Sequence, residues 1–207
     1  ASSRDPAMFT EEMHAKRLPR SGYAKDAYEV EGYVRSFSRR RPDVRVTMLR
    51  GANVIGPHVT SPMTSYFRLP VIPRVAGFDP RLQFLHQADL FTVLQRAVTH
   101  DVPGTFNVAG DGVVLLSQAI RRLGKASVPM PSLAFTGVGS ALRSARMADF
   151  SPEQLSYLTF GRGVDTTRMR TVLGFEPAYT SVEAFADFAG SIDRPLHLSA
   201  VLGGHHG

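Results

Sequence analysis

Val44-Arg45-Val46-Thr47-Met48-Leu49 runs straight into Arg50-Gly51-Ala52-Asn53-Val54-Ile55-Gly56-Pro57. The first six residues carry β-branched and apolar side chains of strand type, and the Gly/Asn/Pro segment after them reads as a loop at the strand's C-terminal end. Upstream, Ala24, Ala27, Val30, Val34 and Phe37 recur at spacings of three and four, which predicts a helix from Ser21 to Arg41. Ser21 suits an N-cap, the arginines at 39–41 suit a helix C-terminus, and Pro42 stops the helix. Helix, strand, then a Gly/Asn/Pro loop is the order of an α/β protein, whose ligands gather at strand C-termini.

Further along, the proline-rich region 58–80 reads as irregular connections around a short helix and a strand. Strands are expected at Leu82–Leu85 and Thr105–Val108, with a turn at Gly110-Asp111-Gly112. Helices are expected near 88–99, 116–123, 133–147, 152–158, 166–173 and 181–191. No internal repeat or low-complexity tract interrupts the chain.

The 207 residues match one domain, or one and a half. A hydrophobic content of 43% against 20% charged is globular, not disordered. With no cysteine, disulfide scaffolds, thiolate nucleophiles and Cys-based zinc or iron–sulfur sites are excluded. That absence fits a reducing compartment and sets a cytoplasmic expectation. No apolar run approaches the ~18 residues of a membrane span, and no signal-peptide pattern opens the sequence. His205-His206 have no acidic or histidine partner at ligand spacing, so no metal site is expected.

The formal charge is +6, from 24 basic residues of which only Lys16, Lys25 and Lys125 are lysine. Arginine pairs bidentately with carboxylates and phosphates, which fits an anionic ligand. A nucleic-acid-binding module is the alternative that this charge raises. The arginines are scattered, however, and only Arg39-Arg40-Arg41 form a run, whereas nucleic-acid binders gather charge on one face. No glycine-rich dinucleotide turn and no Walker A string occurs, so no phosphate cradle is visible.

Five stretches, in order, carry a family resemblance: Ser21-Gly-Tyr-Ala-Lys25 with Glu29; Leu49-Arg50-x-x-Asn53 to Gly56-Pro57; Arg81 through His86 to Asp89; Phe106-Asn-Val-x-Gly110-x-Gly112; and Asp165-x-x-Arg168 through Leu173-Gly-Phe-x-Pro177. Together, over roughly residues 2–190, they resemble the second half of an extended short-chain dehydrogenase/reductase. Within that group they resemble the NAD-dependent epimerase/dehydratase family that includes UDP-glucose 4-epimerases. The glycine-rich half of that family would lie upstream of Ala1.

The resemblance implies an α/β fold, the C-terminal part of a doubly wound, Rossmann-like parallel sheet plus a small, mostly helical substrate-binding lobe. It divides the chain into 1–57, the end of an NAD(P)-binding domain, 58–192, the substrate lobe with returning Rossmann elements, and 193–207, a flexible tail. It also implies NAD or NADP as cofactor, a nucleotide-sugar-like small substrate, and assembly as a homo-oligomer or with the missing N-terminal half.

The family's chemistry uses a Tyr and a Lys four residues apart on one helix face, with a Glu four further on. Lys25 and Glu29 match the second part and make Lys25 the candidate catalytic and ribose-binding lysine. Ser21 then stands where the tyrosine belongs, and a serine hydroxyl needs another base to accept a proton. Tyr23, two residues before Lys25, is the other catalytic candidate; counting from Tyr23 puts Ala27 at the lysine position. Gly51 falls where the backbone passes the nicotinamide. Asn53 matches the substrate-contacting asparagine, and Arg81 lies one residue from the phosphate-binding arginine position, which Leu82 occupies. Arg168 is expected to cap or salt-bridge its helix, and His86 to be a satisfied structural histidine. The departure at Ser21 leaves a second reading, a non-catalytic dinucleotide-binding sensor or scaffold.

Overall fold

The computed structural model describes residues 5–13, 22–135, 137 and 152–192. The expected helix 133–147 and the tail 193–207 lie largely or wholly outside these residues, as does Ser21.

Two neighbouring strands show how the sheet is built. Strand β2 (Thr47–Gly51) pairs in parallel with β7 (Gly104–Val108), and β3 (Asn53–Ile55) pairs in parallel with β6 (Phe84–His86). Ala52 makes the break between β2 and β3, and its N–H still donates to Val108 O at 2.8 Å. Successive side chains of a strand point to opposite faces, and a parallel sheet is covered on both. β6 shows this directly. Phe84 enters one core cluster and Leu85 the other, and both are fully buried.

Among the described residues four of five pairings are parallel. The others are β1 (Met8–Phe9) with β10 (Gly163–Val164) and β4 (Val71–Val75) with β9 (Ala126–Met130); β5 (Arg81–Leu82) and β8 (Val114–Leu115) are antiparallel. The chain is therefore α/β, as its sequence implies.

Helices follow from local chemistry. α1 (Gly22–Arg40) ends in Arg39 and Arg40, which favour the negative end of its dipole. α2 (Pro62–Arg68) opens with proline in its first turn and a capping box between Ser61 and Thr64. α3 (Gln87–Thr99) is capped by the His86 side chain. α4 (Leu116–Leu123) stops at Gly124, whose φ of 64° is left-handed. α5 (Pro152–Phe160) and α6 (Thr167–Thr171) precede α7 (Ser181–Gly190), which opens with a Thr180–Glu183 capping box.

The larger core holds Tyr66, Phe67, Phe84, Phe185 and Phe188, with Phe67 edge-on to Phe185 at 5.0 Å. Edge-to-face pairs at such distances add about 0.5–1.5 kcal/mol beyond burial. Lys125 ties this lobe together, its Nζ donating to Phe67 O at 2.7 Å and Leu69 O at 2.9 Å at the end of α2. The smaller core, Leu85, Val93, Phe106, Val108, Met169, Leu173 and Phe175, lies on the other face.

Candidate functional site

Gly51 lies at the C-terminal end of β2, the kind of strand end where α/β ligands collect, and Asn53 follows two residues on at the start of β3. A Cβ on Gly51 would meet only Leu85 Cδ2, at 3.6 Å, an ordinary contact. Packing within the described chain therefore does not demand glycine at this position, whereas close approach of a ligand to the backbone would.

Asn53 is half-buried. Burial pushes the hydroxyl of Tyr157 on α5 up to about 12, against the lowering influence of the Gln83 backbone and the Asn53 side chain, so it stays neutral at physiological pH. Gln83 is buried and clamps its surroundings. Its Nε2 donates to Gly110 O at 3.0 Å, and its Oε1 accepts from Val164 N at 2.7 Å.

Arg81 lines a pocket of about 350 Å³ together with Asp79, Phe160, Gly161 and Arg162. Asp79 accepts from Ser117 N and Oγ, and Arg162 Nη1 donates to Phe160 O and Gly161 O. Phe78, partly exposed, sets its ring at 88° to Phe160.

The helical candidates fall elsewhere. Lys25 is half-exposed and pairs with Glu29 at 3.6 Å, with Glu29 more exposed still. Glu31 is the carboxylate held against the sheet: Arg50 Nη2 on β2 donates to it at 2.5 Å and Arg35 at 2.8 Å. Burial opposes its ionisation, but the bonds and charges of Arg50 and Arg35 outweigh that and hold Glu31 below the usual carboxylate range. At 100° per residue, Lys25 lies about a third of a turn round α1 from Glu31. Tyr23 falls within α1, and Ser21 lies outside the described residues.

A second cleft, of about 540 Å³, separates α1 from β2 and β7 and is lined by Val34, Arg35, Arg39, Val44, Arg45 and Met48 among others. His86 Nδ1 accepts from Ala88 N, which leaves Nε2 to donate to Asp187 at 3.0 Å; Tyr179 stacks on the ring at 3.8 Å. Arg168, expected as a cap or ion pair, instead lies over the Phe106 ring at 5.6 Å. Tyr157 and the Glu31–Arg50 pair are what the sequence reading missed. A lone tyrosine on a short helix gives no signal, but Arg50 sits inside the quoted Leu49–Asn53 motif.

Among the described residues, no group of three or more His, Asp or Glu side chains converges to hold a metal ion. No described helix is long and apolar enough to cross a membrane.

The architecture is a Rossmann-like α/β fold, shared with solved structures at low sequence identity. A dTDP-glucose 4,6-dehydratase of Bacillus anthracis, solved with NAD, superposes with a TM-score of 0.61 at 15% identity, over 92% of this chain and 57% of that one. A UDP-glucuronic acid 4-epimerase of Bacillus cereus, also solved with NAD, does so at 0.58 and 12% identity, over 91% and 57%. An uncharacterized protein of Mycobacterium tuberculosis is 45% identical over 188 residues, 91% of this chain and 50% of its own length. The chain thus spans about half the length of that relative. No family model matches the chain.

Proposed function

We propose that this chain supplies the last sheet strands and the substrate lobe of an NAD(P)-dependent protein of the epimerase, dehydratase or reductase kind, acting on a nucleotide-sugar-like small molecule. The observation that supports this reading is the β2–β3 segment, in which Gly51 ends the parallel β2–β7 ladder and Asn53 follows two residues on, at the start of β3. When bound, the dinucleotide supplies hydride chemistry. Gly51 lets it approach the backbone, Asn53 bonds the substrate, and the Arg81 pocket takes an anionic group. Lys25, with Ser21 or Tyr23, is the proton-moving set of this reading.

A second reading, a non-catalytic dinucleotide-binding sensor or scaffold, is favoured by the Glu31–Arg50 pair. Counted back from Glu31, the glutamate held against the sheet, the family spacing puts Ala27 at the lysine position and Tyr23 at the tyrosine position. Such a helix has no amine to assist the phenol.

The deciding experiment uses the full open reading frame that contains this chain. NAD(H) binding by calorimetry and turnover of UDP-glucose, UDP-galactose and dTDP-glucose are measured together. Binding with turnover supports the first reading, and binding without turnover supports the second. No dinucleotide binding at all sinks both.

A further inference from the structure

We propose that the cleft between α1 and the starts of β2 and β7 binds a small phosphate monoester with a compact apolar body. The site goes beyond the dinucleotide and sugar reading. On β2 its lining reaches only Met48, and Gly51 follows three residues later, about 10 Å along the strand.

The cleft holds about 540 Å³, within the range of small-molecule sites. Its apolar side is Val34 of α1, Val44 and Val46 on the approach to β2, and Met48 within the strand. All four are only half-buried, so packing within the described chain leaves part of each side chain uncovered. Its charged side is Arg35, Arg39 and Arg45, and among the described residues no acidic one lines it.

The three arginines differ in their partners. Arg45 pairs with Asp101, and both are exposed, so the pair is weak and the guanidinium can turn toward a ligand. Arg35 shares the Glu31 carboxylate with Arg50, and one carboxylate between two guanidiniums leaves one positive charge over. Arg39 meets no acidic side chain at ion-pair distance among the described residues. Its neighbours in the run do have partners: Arg40 Nη1 donates to Ser36 Oγ at 3.0 Å, and Arg41 pairs with Asp43 at 2.6 Å. Two uncompensated positive charges therefore border the cleft, which matches the charge of a phosphate monoester near neutral pH.

Arg35 and Arg39 stand one turn apart on α1, and like charges at that spacing oppose the helix. An anion between them removes the repulsion, and guanidinium forks match phosphate oxygens in pairs. The valines and Met48 then cover the organic part. A neutral molecule gains nothing from the arginines, and bare phosphate gains nothing from the apolar side.

The test uses the full open reading frame with NAD present throughout and naphthyl phosphate as the calorimetric probe. Naphthol and inorganic phosphate are the two comparison ligands. Naphthyl phosphate is expected to bind at least roughly tenfold more tightly than either, with an affinity that falls as salt rises. Arg39→Gln should weaken it roughly tenfold, whereas Arg40→Gln, in the same run but outside the lining, leaves it unchanged. Ser38→Glu, which sets a carboxylate in the lining beside Arg39, should weaken it at least as much. The bound probe should also slow hydrogen exchange over residues 43–46, a readout that needs no variant.

Equal weakening by Arg39→Gln and Arg40→Gln shows attraction to the basic surface at large and overturns the site. Naphthol binding as tightly as naphthyl phosphate, unchanged affinity in both Arg39→Gln and Ser38→Glu, or no binding by the wild type overturns it as well. Each of these outcomes leaves the dinucleotide reading standing, since NAD binding is measured separately.

Discussion

Replacing Gln83 with leucine should cost far more than its single side chain suggests. The two residues are similar in volume, so the effect is polar. Gln83 is 4% exposed and makes two bonds, donating to Gly110 O at 3.0 Å and accepting from Val164 N at 2.7 Å. The two ends differ. Gly110 O also accepts from Ser181 Oγ at 3.2 Å, so its loss is about 0.5–1.5 kcal/mol, the net value of one bond. Val164 N would be left without its acceptor beside a new apolar side chain, which costs about 1–3 kcal/mol. The sum is roughly 1.5–4.5 kcal/mol, or a melting point lower by roughly 3–18 °C for a chain of this size. Urea denaturation followed by circular dichroism gives the total, and hydrogen exchange at the Val164 amide isolates the larger part. A loss below about 1 kcal/mol, or an unchanged Val164 exchange rate, would refute the clamp.

Three further changes test other features. Glu31→Gln should destabilise by about 1–2 kcal/mol at neutral pH, the scale of a charge-assisted pair. Because the folded state holds Glu31 below its unfolded value, that stability is present above the unfolded pKa and lost as pH falls through the folded one; melts of the two proteins should converge as the pH drops below the folded value. Lys125→Met should loosen the end of α2 and cost about 1–2 kcal/mol, read as faster exchange at Leu69, whose N–H bonds Tyr66 O. Gly161→Ala should be severe, because φ is +44° and the new Cβ would overlap the Arg81 backbone; Gly77→Ala, at φ +79° in open space, should cost only about 1 kcal/mol. Equal melting points for the two alanine variants would show that backbone crowding at Gly161 is relieved elsewhere.

The helices were the legible part. The periodic stripe of α1, the Leu116–Leu123 segment before Gly124 and the Thr180–Glu183 box all act within a few residues, so local sequence specifies them. Strands depended on partners. Val44 and Val46 have strand-type side chains, yet the ladder begins at Thr47, because β7 supplies pairing only from Gly104 onward. Leu82–Leu85 was expected as one strand but divides at Gln83, whose side chain bonds other elements while Arg81–Leu82 and Phe84–His86 pair with different strands. β1, β9 and β10 left no readable pattern: two are two residues long, and β9 contains Pro129. At the site, Asn53 stood out through its motif. Tyr157 did not, since only the fold brings α5 to β3.

The short strand β1 and the residue after next, Glu11, have a consequence for how the chain assembles. This arm is held by Asn107 Nδ2 on Phe9 O, by Glu11 Oε1 on Asn107 N, and by Arg50 Nη1 on Glu11 O. Its partner strand is β10, and Asn107 lies 96 residues from Glu11. Contacts of such separation slow folding, because the loop they close must be ordered before they reward it. A segment synthesised well before its partner strand therefore waits for it. Until then its polar groups remain hydrated, and a protease that meets the nascent chain finds this arm open.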